Sequence, residues 1–285
     1  MKLPPFDYAC PTTLPEAVQL LAARDGDAKA IAGGQSLVPM LAFRLAQPTL
    51  LVDLRKLADL RGIKISEKGV TLGAMVRWRD IEDDERLDTA HPLLKAAIAH
   101  VAHYQVRNRG TVGGSLAHAD PAAEMPGIAM TCDAEIAVVG KSGARAIQAA
   151  DFFQGALTTA LTPDEIIVEI RLPPWPAGRR WGFEEFARRR GDFAMAAAAV
   201  FYDQDEHGRA RNAHVGVIGV ADRPLRLSAV EDVLNGRAID AAIIAKAEAA
   251  ASAAVDPQDD IHASAAYRRA LVGTLVERAL KRGAA

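Results

Sequence analysis

No helix and no central strand can run through Pro173-Pro-Trp-Pro176. Each proline lacks an N–H and fixes φ near about −65°, and each pushes the preceding residue out of the helical region. The run therefore predicts a linker that divides the 285-residue chain into a larger N-terminal and a smaller C-terminal part. A chain of this length ordinarily forms more than one packed unit, and it buries a sizeable core without disulfides or structural metal.

Thr13-Leu-Pro-Glu16 reads as a capping box with Thr13 as N-cap. Leu14, Ala17, Val18 and Leu21 then give an amphipathic helix ending near Arg24. Ala28 to Ala32 predicts a short buried strand. Ser36 is expected to cap a helix reaching Leu45, and Thr49 to Leu54 a second strand, in a unit that predicts parallel pairing. Val70 to Ala74 predicts a strand, Ile81 to Leu87 helix, and His91 to Tyr104 one strong helix. Gln105 to Asp120 reads as a long glycine-rich loop, followed by a helix from Asp120-Pro121 through Met130, bent or divided at Pro126. Glu135 to Val139 and Glu165 to Leu172 read as strands. Past the linker, Trp181 to Ala187, Ala194 to Tyr202 and Ala213 to Val220 predict strands, with Asp205-Glu-His-Gly208 as a hairpin loop. Ala238 to Ala253 and Ala265 to Lys281 predict helices. The order gives an α+β fold.

The 34 basic and 36 acidic residues leave a net charge of −2, which argues against nucleic-acid binding by bulk charge. Cys10 and Cys132 are too few for a disulfide framework, a four-thiolate zinc site or a cysteine-ligated iron–sulfur cluster. Met1 to Asp7 carries no apolar signal core, and Ala194 to Tyr202 is too short to span a bilayer. These features predict a cytoplasmic protein with no membrane span.

Two glycine pairs carry the chemistry. Ala32-Gly33-Gly34-Gln35-Ser36 follows a predicted strand and precedes a predicted helix. Adjacent glycines can turn consecutive N–H groups toward one anion, the following helix start adds positive potential, and Ser36 adds a hydroxyl. On this segment alone, a tight turn needing positive φ is the simpler explanation. The second pair lies in Thr111-Val112-Gly113-Gly114-Ser115, where small residues let a flat ligand approach the backbone. Its alternative is a structural loop with solvated arginines. Together the two pairs can grip one extended ligand from both sides.

Other motifs are missing. No Gly-x-Gly-x-x-Gly follows a strand, and no Gly-x-x-x-x-Gly-Lys-Ser/Thr occurs. His100-x-x-His103 lacks a third metal ligand and reads as helix-surface histidines. Gly155 to Thr159 has no nucleophile elbow. Arg188-Arg-Arg190 reads either as a solvated or phosphate-facing patch or as a docking patch for an acidic partner.

Ala32-Gly-Gly-Gln-Ser36 with Leu37-Val-Pro-Met40 and Leu51-Val-Asp-Leu54 resembles the first FAD motif of the flavin subunits of molybdenum hydroxylases. This is the family of the carbon monoxide dehydrogenase medium subunit and the xanthine dehydrogenase FAD subunit. The run from Arg109 to Glu124 resembles their second motif, and Arg190-Gly-Asp-Phe-Ala194 a segment near the flavin ring. The resemblance implies an FAD-binding domain of the vanillyl-alcohol oxidase type over residues 1–175, with two α/β subdomains at 1–57 and 58–175. A C-terminal domain of a small antiparallel sheet with helices would cover 178–285. Ala32, Gly33, Gly34, Gln35 and Ser36 would hold the FAD pyrophosphate, and Thr111, Gly113, Gly114 and Ser115 would line the cofactor's other side. Glu124 stands where relatives often have aspartate facing the ribityl hydroxyls. Phe193 and the Leu161 carbonyl would lie at the ring. No catalytic or metal-binding residue is expected on this chain. The resemblance further implies non-covalent FAD and an electron-transfer role. Its partners would be an iron–sulfur small subunit and a molybdopterin large subunit, in a dimer of heterotrimers with an external electron acceptor. The alternative is a stand-alone reductase of the enolpyruvyl-UDP-N-acetylglucosamine reductase type.

Overall fold

The computed structural model describes residues 2–284 as four sheets, three of which organise the chain. In the first, strands β1 (Asp7–Ala9), β2 (Ala28–Ile31) and β3 (Leu50–Asp53) are parallel, with β3 in the centre. All four β3 residues are buried, as befits a central parallel strand covered on both faces. The helix Leu14–Ala22 lays Ala17, Val18 and Leu21 on this sheet. The Thr13 side chain accepts from the Glu16 N–H at its start, but Glu16 reaches back to the N–H of Thr12, so the reciprocal bond falls one residue early. Asp53 is the buried charge of this layer. Burial pushes its carboxyl upward, yet bonds from Arg55 Nε (2.6 Å) and the Tyr8 hydroxyl (2.8 Å) hold it below the ordinary carboxylate value.

The second sheet is antiparallel. Strands β4 (Ile63–Ser66), β5 (Gly69–Gly73), β6 (Glu135–Gly140) and β7 (Gly143–Gln148) precede a two-stranded ribbon, β8 (Phe153–Gly155) and β9 (Thr158–Thr159). Strand β10 (Ile166–Leu172) then enters the middle, giving the order β4-β5-β10-β6-β7.

Three expectations for the helical middle of this domain are corrected. The segment from His91 to Tyr104 is not one helix: Pro92–Ile98 stops, Ala102 turns left-handed at φ 42°, and Tyr104–Arg107 forms a separate turn. Arg107 stabilises that break by donating to the carbonyls of Val101 (3.0 Å) and Ala102 (2.9 Å) while pairing with Glu82. His100 and His103 consequently share no helix face. Residues 105–120 are not an extended loop either, because Val112–His118 is helical, with Thr111 accepting from the Gly114 N–H as its cap. Finally, the helix Glu124–Thr131 begins late enough that Pro126 falls in its first turn, where its missing N–H has no partner to lose, so nothing is bent.

The segment at 173–176 belongs to no strand or helix. Beyond it, β11 (Arg180–Phe186), β12 (Ala196–Gln204), β13 (Ala210–Ile218) and β14 (Leu225–Arg226) form an antiparallel meander. Its strands pair consecutively, and the turn at Asp205–Gly208 closes the β12–β13 hairpin. Helices Ser228–Leu234, Ala241–Ala253 and Ala265–Ala284 cover one face. Strand β12 explains the apolar run of the sequence. Ala197, Ala199 and Phe201 join the core of the N-terminal domain, while Ala196, Ala198, Val200 and Tyr202 join the C-terminal core. A strand buried on both faces reads as continuously apolar, with the period of two hidden. The sheet is thus shared between the domains and fixes how they meet.

Candidate functional site

The two glycine-containing segments meet through the residues beside each pair. A Cβ on Gly33 would lie 2.1 Å from the Arg109 carbonyl oxygen and 2.9 Å from the Gly110 Cα, so the loops touch backbone to backbone. A Cβ on Gly114 would point toward Ala32, 3.9 Å away. Only Gly34 uses positive φ, at 72°. Gly113 serves close approach, since its Cβ would come within 2.6 Å of the Ala74 Cβ and its N–H donates to the Ala74 carbonyl. The positive-φ explanation therefore holds for one glycine of the four.

The first loop keeps its donors free. The N–H groups of Gly34, Gln35, Ser36 and Leu37 have no acceptor among the described residues, while Gln35 Nε2 donates to the Gly33 carbonyl and steadies the turn. The Ser36 side chain does not cap the next helix, which is shorter than expected at Leu37–Ala42, so its hydroxyl is also free. Four adjacent, half-buried donors without acceptors suit an anion with several oxygens.

The remaining candidates lie along the second loop and the segments C-terminal to it. The Thr111 hydroxyl is spent on the cap, leaving the Ser115 hydroxyl without a partner among the described residues. Glu124 opens its helix with 7 % exposure, and its side chain takes no bond from another of the described residues. Burial, opposed in part by its own N–H, pushes its carboxyl up to about 7, and the charge of Asp120 adds to this. The Leu161 carbonyl accepts no hydrogen bond from the described residues, and its N–H is held by Thr159 Oγ1. Phe193 is 66 % exposed on the Arg188–Phe193 turn between β11 and β12. It faces a cavity of about 1120 Å³ between the domains, whose walls include Asp120, Met195, Gly219, Asp222 and Asp260.

Sequence reasoning missed two groups at this junction. Arg268, on the last helix, is buried and donates to the carbonyls of Met195 and Gly219, each at 2.6 Å, and to Asp260 at 2.7 Å. Glu185, on β11, is the one buried side chain among the described residues with a polar atom lacking any partner. Alternation was the available signal for Glu185. Trp181, Phe183 and Glu185 fall on the face that meets the N-terminal domain, where an acid is out of place. Among the arginines here, Arg107 is committed internally, whereas Arg188, Arg189 and Arg190, the basic run of the sequence, are exposed and form no ion pair among the described residues.

A loop with four free amides, a buried carboxyl oxygen without a partner among the described residues and a cavity between the domains are features that suit a protein binding an extended, phosphate-bearing ligand. Comparison with known proteins gives that class a family. The family described as the FAD binding domain in molybdopterin dehydrogenase matches residues 4–175, and the CO dehydrogenase flavoprotein C-terminal domain matches residues 181–282. The chain is 39% identical over 280 residues to the 6-hydroxypseudooxynicotine dehydrogenase complex subunit alpha of Paenarthrobacter nicotinovorans, covering 98% of this chain and 95% of that one. It is 37% identical to the carbon monoxide dehydrogenase medium chain of Afipia carboxidovorans, covering 98% and 97%. Its fold superposes on quinoline 2-oxidoreductase from Pseudomonas putida 86 with a TM-score of 0.94 at 40% identity, covering 100% and 98%. The chain belongs to the FAD-binding medium-subunit family of the molybdenum hydroxylases, and is an oxidoreductase subunit.

Proposed function

We propose that this chain binds FAD non-covalently between its two glycine loops and relays electrons from an iron–sulfur subunit to an external acceptor. The observation that carries the reading is the row of four unpaired amides from Gly34 to Leu37. They would bind the pyrophosphate, with Ala32 and Gly33 shaping the turn and Ser36 adding its hydroxyl. Thr111, Gly113, Gly114 and Ser115 would close the other side, and the Glu124 carboxyl would meet ribityl hydroxyls, which supply the partner it lacks. Phe193 and the Leu161 carbonyl would bound the ring. FAD supplies reversible two-electron chemistry that can also run one electron at a time, and the protein binds, orients and tunes it. No proton-transferring side chain is required for the relay.

The relatives act on a nicotine derivative, carbon monoxide and quinoline by their names, yet each resembles this chain over nearly its whole length. Substrate choice therefore fits another subunit. We assign this chain to a cytoplasmic assembly with an iron–sulfur small subunit and a molybdopterin large subunit, arranged as a dimer of heterotrimers. No helix among the described residues is long and apolar enough to cross a membrane. On this reading the exposed Arg188–Arg190 run and Arg109 are candidates for the subunit contact. The domain limits that fit are 1–175, divided at 57, and 178–285.

Two experiments test this. Acid precipitation should release all flavin to the supernatant, because His118, the histidine nearest the second glycine pair, sits past that pair at the end of the helix Val112–His118; flavin retained in the pellet means a covalent link. Co-expression of all three subunits should give one complex on size exclusion and dye-linked dehydrogenase activity, while the isolated chain should bind flavin and turn over no organic substrate. Turnover by the isolated chain, with no molybdenum or iron present, would favour the stand-alone reductase.

A further inference from the structure

A second cavity, of about 240 Å³, lies where the proline-rich linker meets the segments on either side of it. Its walls include His91 and Cys132 from before the linker, Trp175 within it, and Arg179, Phe201 and His214 beyond it. It shares no lining residue with the larger cavity, and neither glycine pair reaches it. We propose that this second cavity binds a small, uncharged, flat heteroaromatic molecule that carries both a hydrogen-bond donor and an acceptor on its edge. The proposal stands apart from the FAD reading.

The two histidines supply the polar edge. His91 is 1% exposed, and its Nδ1 accepts from the Leu94 N–H at the start of the helix Pro92–Ile98. Burial pushes the ring down to about 3, so it is neutral and carries its proton on Nε2. His214 is arranged the opposite way. Its Nδ1 donates to the Thr131 carbonyl at 2.8 Å, and burial holds the ring below the ordinary histidine value, which leaves Nε2 as an acceptor. Neither Nε2 has a partner among the described residues, and neither is sealed off by protein. The space that both rings line is this cavity. A ligand that accepts from one and donates to the other satisfies both. The charged groups nearby already have partners. Arg179 holds Asp203 through two bonds, at 2.8 and 3.0 Å, and Arg226 pairs with Asp133. Burial raises the Cys132 thiol to about 12, so it is uncharged as well. A charged ligand would find no free counter-charge here, which favours a neutral one. The walls favour a flat one. Trp175 packs on His91 with ring centroids 4.6 Å apart and on Phe201 at 5.4 Å, and Phe201 stacks on His214 at 4.4 Å. The Arg179 guanidinium lies over both Trp175 and Phe201 and holds these rings in place. A cavity of about 150 Å³ holds a benzene ring, so this one suits one or two fused rings.

The test is calorimetric titration of the full-length chain with 2-quinolinone, a flat, uncharged, two-ring lactam whose N–H and C=O lie side by side. The wild type should bind it with a Kd below about 1 mM and melt at a higher temperature in its presence. Indole offers a donor alone and should bind about five- to tenfold more weakly. His91→Asn and His214→Asn each preserve the bond that Nδ1 makes, through the amide oxygen toward Leu94 and the amide nitrogen toward Thr131, and withdraw Nε2. Each should weaken 2-quinolinone about five- to tenfold with an unchanged far-UV circular dichroism spectrum. Indole should lose affinity in His214→Asn and keep it in His91→Asn. A folded wild type that binds no 2-quinolinone at about 1 mM overturns the site. Equal binding by wild type and both variants, or displacement of the lactam by FAD, places the ligand elsewhere and overturns it too. Indole bound as tightly as 2-quinolinone by the wild type overturns the donor–acceptor edge, and that comparison stands even where a variant fails to fold.

Discussion

A Gly33→Ala chain should fold, yet bind FAD about 100-fold more weakly, near 2.7 kcal/mol of binding free energy. The added methyl would start 2.1 Å from the Arg109 carbonyl oxygen and 2.7 Å from its carbonyl carbon. Neither is the end of a flexible side chain, so the loops themselves must separate. Inserting a methyl into such a contact costs about 1–3 kcal/mol, which a chain of this size survives. Separation also displaces Gly34 to Leu37, whose free N–H groups form the proposed pyrophosphate cradle. Gly34→Ala makes a milder control: its Cβ meets a Val38 methyl at 3.2 Å and strains a left-handed residue by about 1–2 kcal/mol. Gly114→Val separates ligand from fold, because apart from the Thr111 hydroxyl at 2.9 Å its side chain would enter the space toward Ala32. The measurements are flavin content after reconstitution and far-UV circular dichroism. Full flavin occupancy in Gly33→Ala and Gly114→Val would mean that the two loops hold no cofactor.

How well each part could be read from sequence depended on whether its cause was local. The hairpin at Asp205–Gly208 closes with its own bonds, from the Asp205 N–H to the Arg209 carbonyl and from the Gly208 N–H to the Asp205 carbonyl, and it was legible. The two glycine loops were visible as composition, but their reasons were not. That Gly33 meets Arg109, and Gly113 meets Ala74, depends on contacts between segments about forty to eighty residues apart. The helix break after Ile98 was invisible because Arg107 binds the freed carbonyls from outside the pattern. Strands β1, β4 and β7 were missed for a simpler reason. All three are edges: Asp7 to Ala9 is three largely exposed residues, Gly143 to Gln148 buries a single side chain, and Ile63 to Ser66 alternates over only four residues, too few for the period of two to stand out. Glu185 was hidden because an acid in a strand ordinarily means a solvent face.

Arg268→Leu should lower the apparent Tm by roughly 6 °C or more and weaken flavin binding with it. The guanidinium is the only described donor to the Met195 carbonyl, and the same is true at Gly219. Hydrogen bonds from a charged group are each worth about 1.5–3 kcal/mol, and the leucine would leave both carbonyls without a donor. The Asp260 pair adds little by itself, since that carboxylate is 46% exposed. Asp260 nevertheless caps its own loop, accepting from the N–H groups of His262 and Ala263, which together with Arg268 lowers its carboxyl to about 2. Losing Arg268 therefore releases the 256–262 segment from the cavity wall, while Met195 and Gly219, on the same wall, lose their anchor to the last helix. Arg268→Lys keeps the charge but offers one compact ammonium in place of a planar fork. It should recover part of the stability and little of the flavin affinity, because it cannot hold three diverging acceptors at once. Thermal unfolding followed by circular dichroism, with flavin fluorescence in parallel, reads both quantities. An Arg268→Leu chain that melts within about 1 °C of the wild type would show that these three contacts do not hold the cavity together.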